Sequence, residues 1–473
     1  MGMFFEAGEK KVRPGQYQRY ENPSGLALAG ANNGYVAAVV QGSWGELGKV
    51  KTLNTEAEVL ETFGKDGTTQ ILNEAFAGGA KTIYAVRMGS GGTKGTGRLQ
   101  DTGTPTAADA IEITLKCEGN RVLEFTVRDM LGDATQKEFL ITEGNVVLEK
   151  ITFPASESGE VDALIEAAVG AKYFFMQKVA SYAGTGKLAV TAKTAFTTGT
   201  NPTVNNENYS TAFSALEAFN WNTLIVDTED TAVHSLAATY MNRMYQQGKL
   251  GMLVVSEPHT VAWDDRLSHA KAFNNKNVVY LGTGWVDNLG KAYDGYLAAA
   301  RLGGMVSAIP SNQNLTHAVI TNAVTPLELL TNSQLENAIR NGMLALSVSS
   351  QGAVQIDAAV NTLNNPTDNE DEGWKKIKRC KIRNEMMTRI SDTVEGLIGK
   401  LNNNADGQAF VQQTILSLLN VMVAEEKLAS GPTVEIETVT GQAGDSAYFR
   451  IKAYDIDGLE KIYLTYEFSF NAA

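Results

Sequence analysis

The chain has 473 residues, 43% hydrophobic and 20% charged, with a formal net charge of −13 and an isoelectric point near 5.0. That length accommodates roughly two to four domains and buries large cores without disulfide or metal staples. The acidic balance argues against nucleic acid or an anionic membrane as a general partner.

Residues 1–22 are rich in Lys, Arg, Gly and Tyr with no sustained period, and read as an extended arm. They show no secretory pattern, and apolar runs such as Tyr35–Val40 fall far short of the ~20 residues of a membrane helix. The chain is therefore expected to be made and held in cytoplasm. Cys117 and Cys380 are far apart and expected to be unpaired thiols.

An α/β texture starts with a buried strand at 35–41. Thr55 and Glu58 have capping-box spacing before a helix that stops at Gly64. A second helix, 69–77, ends at Gly78-Gly79, and 82–87 is a strand. Strands alternating with helices imply a largely parallel sheet. Residues 89–97 (GSGGTKGTG) read as a flexible junction. Short alternating strands follow at 111–117, 122–128, 137–141 and 146–153, then a helix at 161–169 and a strand at 187–192. Residues 197–208 form a second polar junction.

The α/β texture then resumes. Strands are expected at 223–227, 250–255 and 278–281. Helices are expected at 214–219, 231–247, 264–273 and 291–302, the last ending at Gly303-Gly304. After the acidic linker 364–373, the basic run 374–383 (WKKIKRCKIR) alternates like a strand. Helices at 384–400 and 408–428 precede strands at 434–438, 448–454 and 462–470. In the last, Ile462, Leu464, Tyr466, Phe468 and Phe470 alternate with mostly polar residues, the period of a strand with one buried face.

The expected fold is α/β and α+β, multidomain. A discontinuous α/β core (23–89 and 206–363) is interrupted by a β-rich, sandwich-like insertion (90–205). A C-terminal α+β domain (364–444), a C-terminal β segment and arm (445–473) and the N-terminal arm (1–22) complete it.

Catalytic chemistry is hard to place. His234, His259, His269 and His317 lack metal-ligand spacing. Residues 92–99 (GTKGTGRL) approach a phosphate loop but have Arg98 and Leu99 where Lys and Ser/Thr belong. Gly282-Thr283-Gly284 follows a strand, but Asp287 replaces the third glycine. A set of Ser311, His317 and Asp227 has no local nucleophile signature. No catalytic residue, cofactor or metal is expected. The carboxylates Asp264-Asp265 and Asp371-Glu372 read as solvated. Lys375, Lys376, Lys378, Arg379, Lys381 and Arg383 form the one charge feature suited to an acidic partner surface.

The order of these pieces resembles the tail sheath proteins of contractile phage tails and phage-like bacteriocins. The likeness rests on NNGYVAAVVQGSWGELGKV (32–50), AEVLETFG (57–64), NEAFAGGAKTIYAVRM (73–88) and GYLAAARLGGMVSAIPSNQNLTH (295–317). It continues in LLTNSQLENAIRNGMLAL (329–346), Asn361-Thr362-Leu363 and IKRCKIRNEMMTRISDTVEGLIGKLNNNADGQAF (377–410). The resemblance implies a structural, non-enzymatic subunit that assembles as stacked six-fold rings around an inner tube. Terminal arms add strands to neighbouring subunits, and contraction drives the tube through an envelope.

It implies an intersubunit arm made of Phe4, Phe5, Val12, Tyr17, Phe449, Ile451, Ile462, Leu464, Tyr466, Phe468 and Phe470. The C-terminal helices and basic run would face the tube, and the insertion would point outward. The implied partners are further copies of the chain, the inner tail tube protein, and baseplate and tail-terminator proteins, with neither nucleic acid binding nor membrane insertion. The implied location is the host cytoplasm during assembly and the particle tail after release. Two other readings stay open: an α/β hydrolase or nucleotide-dependent enzyme, and a binding module built on the β insertion.

Overall fold

The computed structural model describes residues 33–65, 67–103, 106–184, 186–368, 370–440 and 444–468, and the backbone of 3–4 and 17–18. The chain divides into two compact units, one of Asn32–Asn384 with Asp457–Ala473 and one of Met1–Ala31 with Glu385–Ile456. This division differs from the expected boundaries near 364 and 445. Near the start of the chain, within the expected extended arm, β1 (Met3–Phe4) and β2 (Tyr17–Gln18) pair in parallel.

The larger unit opens with β3 (Tyr35–Val40), β4 (Val50–Leu53), α1 (Glu56–Phe63), α2 (Gln70–Ala77) and β5 (Thr82–Arg87). Val36 to Val40 are all fully buried, because helices cover both faces of the strand. The Thr55 side chain accepts the amide of Glu58, as expected. The Glu58 carboxylate turns back to the amide of Asn54, at 2.7 Å, rather than to the cap itself.

The insertion comprises β6 (Lys94–Gln100), β7 (Asp109–Glu118), β8 (Glu124–Asp129), β9 (Gln136–Glu143), β10 (Val146–Pro154), α3 (Glu160–Ala167), β11 (Phe174–Lys178) and β12 (Thr191–Ala195). Two sheets, ordered β10-β9-β8-β12 and β11-β7-β6, share one core with Phe125, Phe139, Phe153, Phe174 and Phe196. The junctions expected to be flexible are paired instead. Residues 94–97 belong to β6, and Ser90, Thr93 and Thr96 bridge to Thr203, Thr200 and Thr197. The facing threonine hydroxyls meet at 2.9 Å (Thr93–Thr200) and 2.7 Å (Thr96–Thr197).

The insertion also locks onto the α/β core. The Arg121 side chain, 1% exposed, lies over the Trp44 and Tyr173 rings and makes two bonds to the Glu143 carboxylate. Arg87 is fully buried and donates to the carbonyls of Gly42 and Gly45, fixing the loop that carries Trp44. Gly119 touches that loop so closely that a Cβ would stand 1.9 Å from the Ser43 carbonyl oxygen.

The core resumes with α4 (Asn206–Ala215), whose start is closed by a reciprocal Asn205–Asn208 cap. Then follow β13 (Thr223–Ile225), α5 (Thr231–Gln246), β14 (Met252–Ser256), α6 (Trp263–Phe273) and β15 (Val278–Leu281). Next come β16 (Trp285–Asp287), β17 (Ala292–Tyr293), α7 (Gly295–Ala308), β18 (Ala323–Pro326), α8 (Asn332–Arg340), β19 (Met343–Leu344), β20 (Leu346–Val348), β21 (Val354–Ile356) and α9 (Ile377–Glu395). The seven-stranded sheet runs β19-β15-β14-β13-β3-β5-β4, parallel except for β4.

Helix α7 departs from the sequence reading, because it runs through Gly303-Gly304 to Ala308. These glycines are packing positions, not a stop. A Cβ on Gly303 would lie 2.4 Å from Ile225, and one on Gly304 would lie 2.1 Å from the Ala75 carbonyl oxygen.

In the smaller unit, α10 (Ala405–Ala424) buries Ile415, Leu418, Leu419 and Met422. An antiparallel hairpin of β22 (Thr433–Glu437) and β23 (Tyr448–Lys452) follows. Arg389 and Lys427 are both bonded to Glu385 and Glu425, a closed network of two cations and two anions. Burial opposes ionisation of Glu425, but Lys427 and Arg389 outweigh it and hold that carboxyl below its ordinary value.

Candidate assembly interface

The expected strand at 462–470 is absent among the described residues. Residues 459–468 have no regular secondary structure and belong to no sheet. Ile462 is 69% exposed, Leu464 69%, Tyr466 70% and Phe468 93%. The two aromatic rings stack at 6.3 Å, as side chains on one face of an extended chain can. The period-2 pattern is thus present without the sheet that would bury its apolar face, and a lone strand is not stable in water. Phe470 lies outside the described residues, as do Phe5 and Val12. Phe4 is placed in β1 and Tyr17 in β2. Phe449 and Ile451 are half-buried in β23, opposite Ile436 and Val434, so they pair within their own unit.

The root of the exposed segment is held. Lys376 Nζ lies 2.7 Å from Asp457 and 2.8 Å from Glu460. The other Glu460 carboxylate oxygen accepts from Asn314 at 2.6 Å and from the Thr316 hydroxyl at 3.4 Å. Past Lys461 nothing among the described residues is bonded to the chain. Sequence reasoning missed this root. Asn314 and Glu460 are 146 positions apart, and no local pattern connects them.

The basic run is a correction. Residues 372–375 form a 3₁₀ turn and α9 begins at Ile377, so 374–383 is not a strand. The amide of Cys380 donates to the carbonyl of Lys376 at 3.0 Å, the i→i−4 bond of a helix, although the burial of Lys378, Cys380, Ile382 and Asn384 keeps the alternation that imitated a strand. Nor is the run a free cationic face, since none of its six cations is exposed. Lys375 pairs with Glu372, Lys376 with Asp457 and Glu460, and Arg383 with Asp371. Lys381 donates to the carbonyls of Val306, Ser307 and Ile309 at the end of α7, where a cation complements the helix dipole. Arg379 packs against Gly373, and Lys378 is 8% exposed.

The sheet changes its direction of growth between β3 and β13, the place where open α/β sheets hold ligands. Here it is filled by side chains. Asp227, 2% exposed, accepts from the Gln41 amide (2.9 Å), the Thr68 hydroxyl (2.5 Å) and the Tyr209 hydroxyl (2.9 Å). Burial and the adjacent Asp227 push the Tyr209 hydroxyl well up from its ordinary range. His317 is exposed and bonded through its backbone to Ile356, so Ser311, His317 and Asp227 do not form a hydrogen-bonded set.

His259 binds Asp294 at 2.6 Å, and His269 binds Glu257 at 2.7 Å. Among the described residues no group of three or more His, Cys, Asp or Glu could hold a metal ion. The two glycine motifs serve packing. Residues 94–99 are in β6, and a Cβ on Gly284 would meet the Tyr293 carbonyl oxygen at 1.9 Å. Cys117 and Cys380 are buried and form no disulfide. Asp264 and Asp265 are exposed.

Residues 203–362, the resumed α/β core, match the phage tail sheath protein central domain. The chain carries a tail sheath central domain. Its fold is that of sheath proteins along nearly the whole length. The sheath tail protein of Desulfitobacterium hafniense is 22% identical, with 95% of this chain and 99% of that one covered at a TM-score of 0.72. That of Listeria innocua is 17% identical, covering 90% and 96% at 0.67. The PVC sheath complex of an extracellular contractile injection system, in its contracted state, is 11% identical, covering 97% and 98% at 0.56. The uncharacterized protein YqbK of Bacillus subtilis is 20% identical over 98% of this chain and 99% of its own length. No described helix of the sheath-like chain is long and apolar enough to cross a membrane.

Proposed function

We propose that this chain is the structural subunit of a contractile tail sheath. It polymerises as stacked six-subunit rings around an inner tube, and strands exchanged through the terminal arms link the rings. Contraction drives the tube through a target envelope, with the baseplate as a further partner. The observation that carries this reading is segment 461–468, which holds an apolar face in solvent and has no backbone hydrogen-bond partner among the described residues. Burying each of those large apolar side chains is worth about 1.5–3 kcal/mol. A neighbour's sheet edge supplies both the missing cover and the missing hydrogen bonds. The switch-point carboxylate Asp227 is taken up by hydrogen bonds from Gln41, Thr68 and Tyr209, which is the bonding of a structural group.

Negative-stain microscopy of the purified full chain tests the proposal. Rings or hollow polymers are expected from it, and dispersed subunits from a chain ending at Lys461. Normal polymers from the shortened chain would refute strand exchange through this arm.

A further inference from the structure

We propose that Lys376, Asn314, Asp457 and Glu460 form an ionic clamp that fixes the root of the C-terminal arm to the α/β core, so that the core, and not the C-terminal unit, carries the arm.

The chain leaves the larger unit after Asn384 and returns to it at Asp457. The clamp sits at that return. Lys376 precedes the first residue of α9, and its backbone bridges to Val360, so its ammonium projects from a fixed position. Burial opposes the charge on Lys376, but Asp457 and Glu460 outweigh it and hold that ammonium above its ordinary value. Both Glu460 oxygens are engaged, one by Lys376 and one by Asn314, which fixes the carboxylate in orientation as well as position. Gly458, between the two acids, lies so close to Asn314 that a Cβ would meet its Nδ2 at 2.8 Å. Segment 457–460 is therefore pinned at both ends, while Leu459 between them is 84% exposed. Among the described residues beyond Lys461 the arm has no such contact. The clamp sets the point from which it extends and leaves its direction open to a partner.

The meaning of the clamp for assembly rests on the sheath reading, but the clamp itself is read on the unassembled chain. A nitroxide is attached at Leu459→Cys in the full chain, where Cys117 and Cys380 are buried, and its spectrum is recorded before polymers form. A restricted component is expected in the parent. It should be lost in Lys376→Met and in Lys376→Glu, and reduced in Glu460→Gln, which keeps the shape but not the charge. Far-UV circular dichroism of each variant confirms that it is folded. A folded Lys376→Met protein with the parent spectrum overturns the clamp. Failure of the parent to polymerise overturns the sheath reading and leaves the spectral result intact.

Discussion

Gly304 in α7 lies against the main chain of Ala75 in α2, where a Cβ would stand 2.1 Å from the carbonyl oxygen. Gly78 completes the crossing, with its own would-be Cβ 2.2 Å from the Arg301 carbonyl oxygen. The two helices meet through backbone, and the buried Arg301–Glu74 pair at 2.6 Å sits beside the contact. Gly304→Ala has no side chain to push aside, so it is expected to destabilise by ~3 kcal/mol or more, despite the better helix propensity of alanine. Denaturant unfolding measures this. An unchanged midpoint would show that the backbones separate without cost.

Arg121 is the corresponding lock between the insertion and the core. Arg121→Met keeps bulk between Trp44 and Tyr173 but removes both bonds to Glu143, whose side chain is 17% exposed. Breaking a buried pair from one side typically costs ~3–5 kcal/mol. The partial exposure of Glu143 places this variant at the lower end. A fall in thermal midpoint with a shift in Trp44 emission is expected. A loss of stability with no change at Trp44 would mean that the lock is confined to the insertion.

The α/β core was legible because its signals are local. Val36 to Val40 form a continuous apolar run, and Thr55 caps within its own turn. What was missed depends on distant chain. The glycine-rich residues 94–97 become strand only because β7 and the threonines at 197 and 200 pair with them. Gly303-Gly304 looks like a helix stop until Ala75 and Ile225 arrive. The run at 374–383 alternates well enough to imitate a strand, with Lys378, Cys380, Ile382 and Asn384 all buried, and only the i→i−4 backbone bonding that begins with the Cys380 amide on the Lys376 carbonyl reveals the helix. The alternation at 462–470 is present in the sequence, but no strand forms there among the described residues.

The two faces of the arm separate assembly from stability. Leu464→Lys places a charge on the apolar face, and Thr465→Lys places the same charge on the other. Both positions are exposed, so thermal midpoints should stay within about 0.5 kcal/mol of the parent. Microscopy is expected to show polymers for Thr465→Lys and few or none for Leu464→Lys. Equal polymerisation by both would show that the apolar face does not set the register.

Asp227 gives a prediction in pH. Burial raises its carboxyl above the ordinary value of 3.8, against the hydrogen bonds from Thr68, Tyr209 and the Gln41 amide, which pull it down. A carboxyl raised in the folded state stabilises that state while protonated. The contribution is complete below the unfolded value and is lost as pH rises through the folded one. Asp227→Asn does not titrate. Its stability relative to the parent should therefore increase from about pH 4 upward and level off above the folded value of Asp227. Glu229, raised by burial and by Asp294, titrates in both proteins and largely cancels from the difference. Paired denaturant unfolding across that range measures the slope. A difference that falls with pH would show that the three hydrogen bonds outweigh burial and that Asp227 is an ordinary low-lying carboxylate.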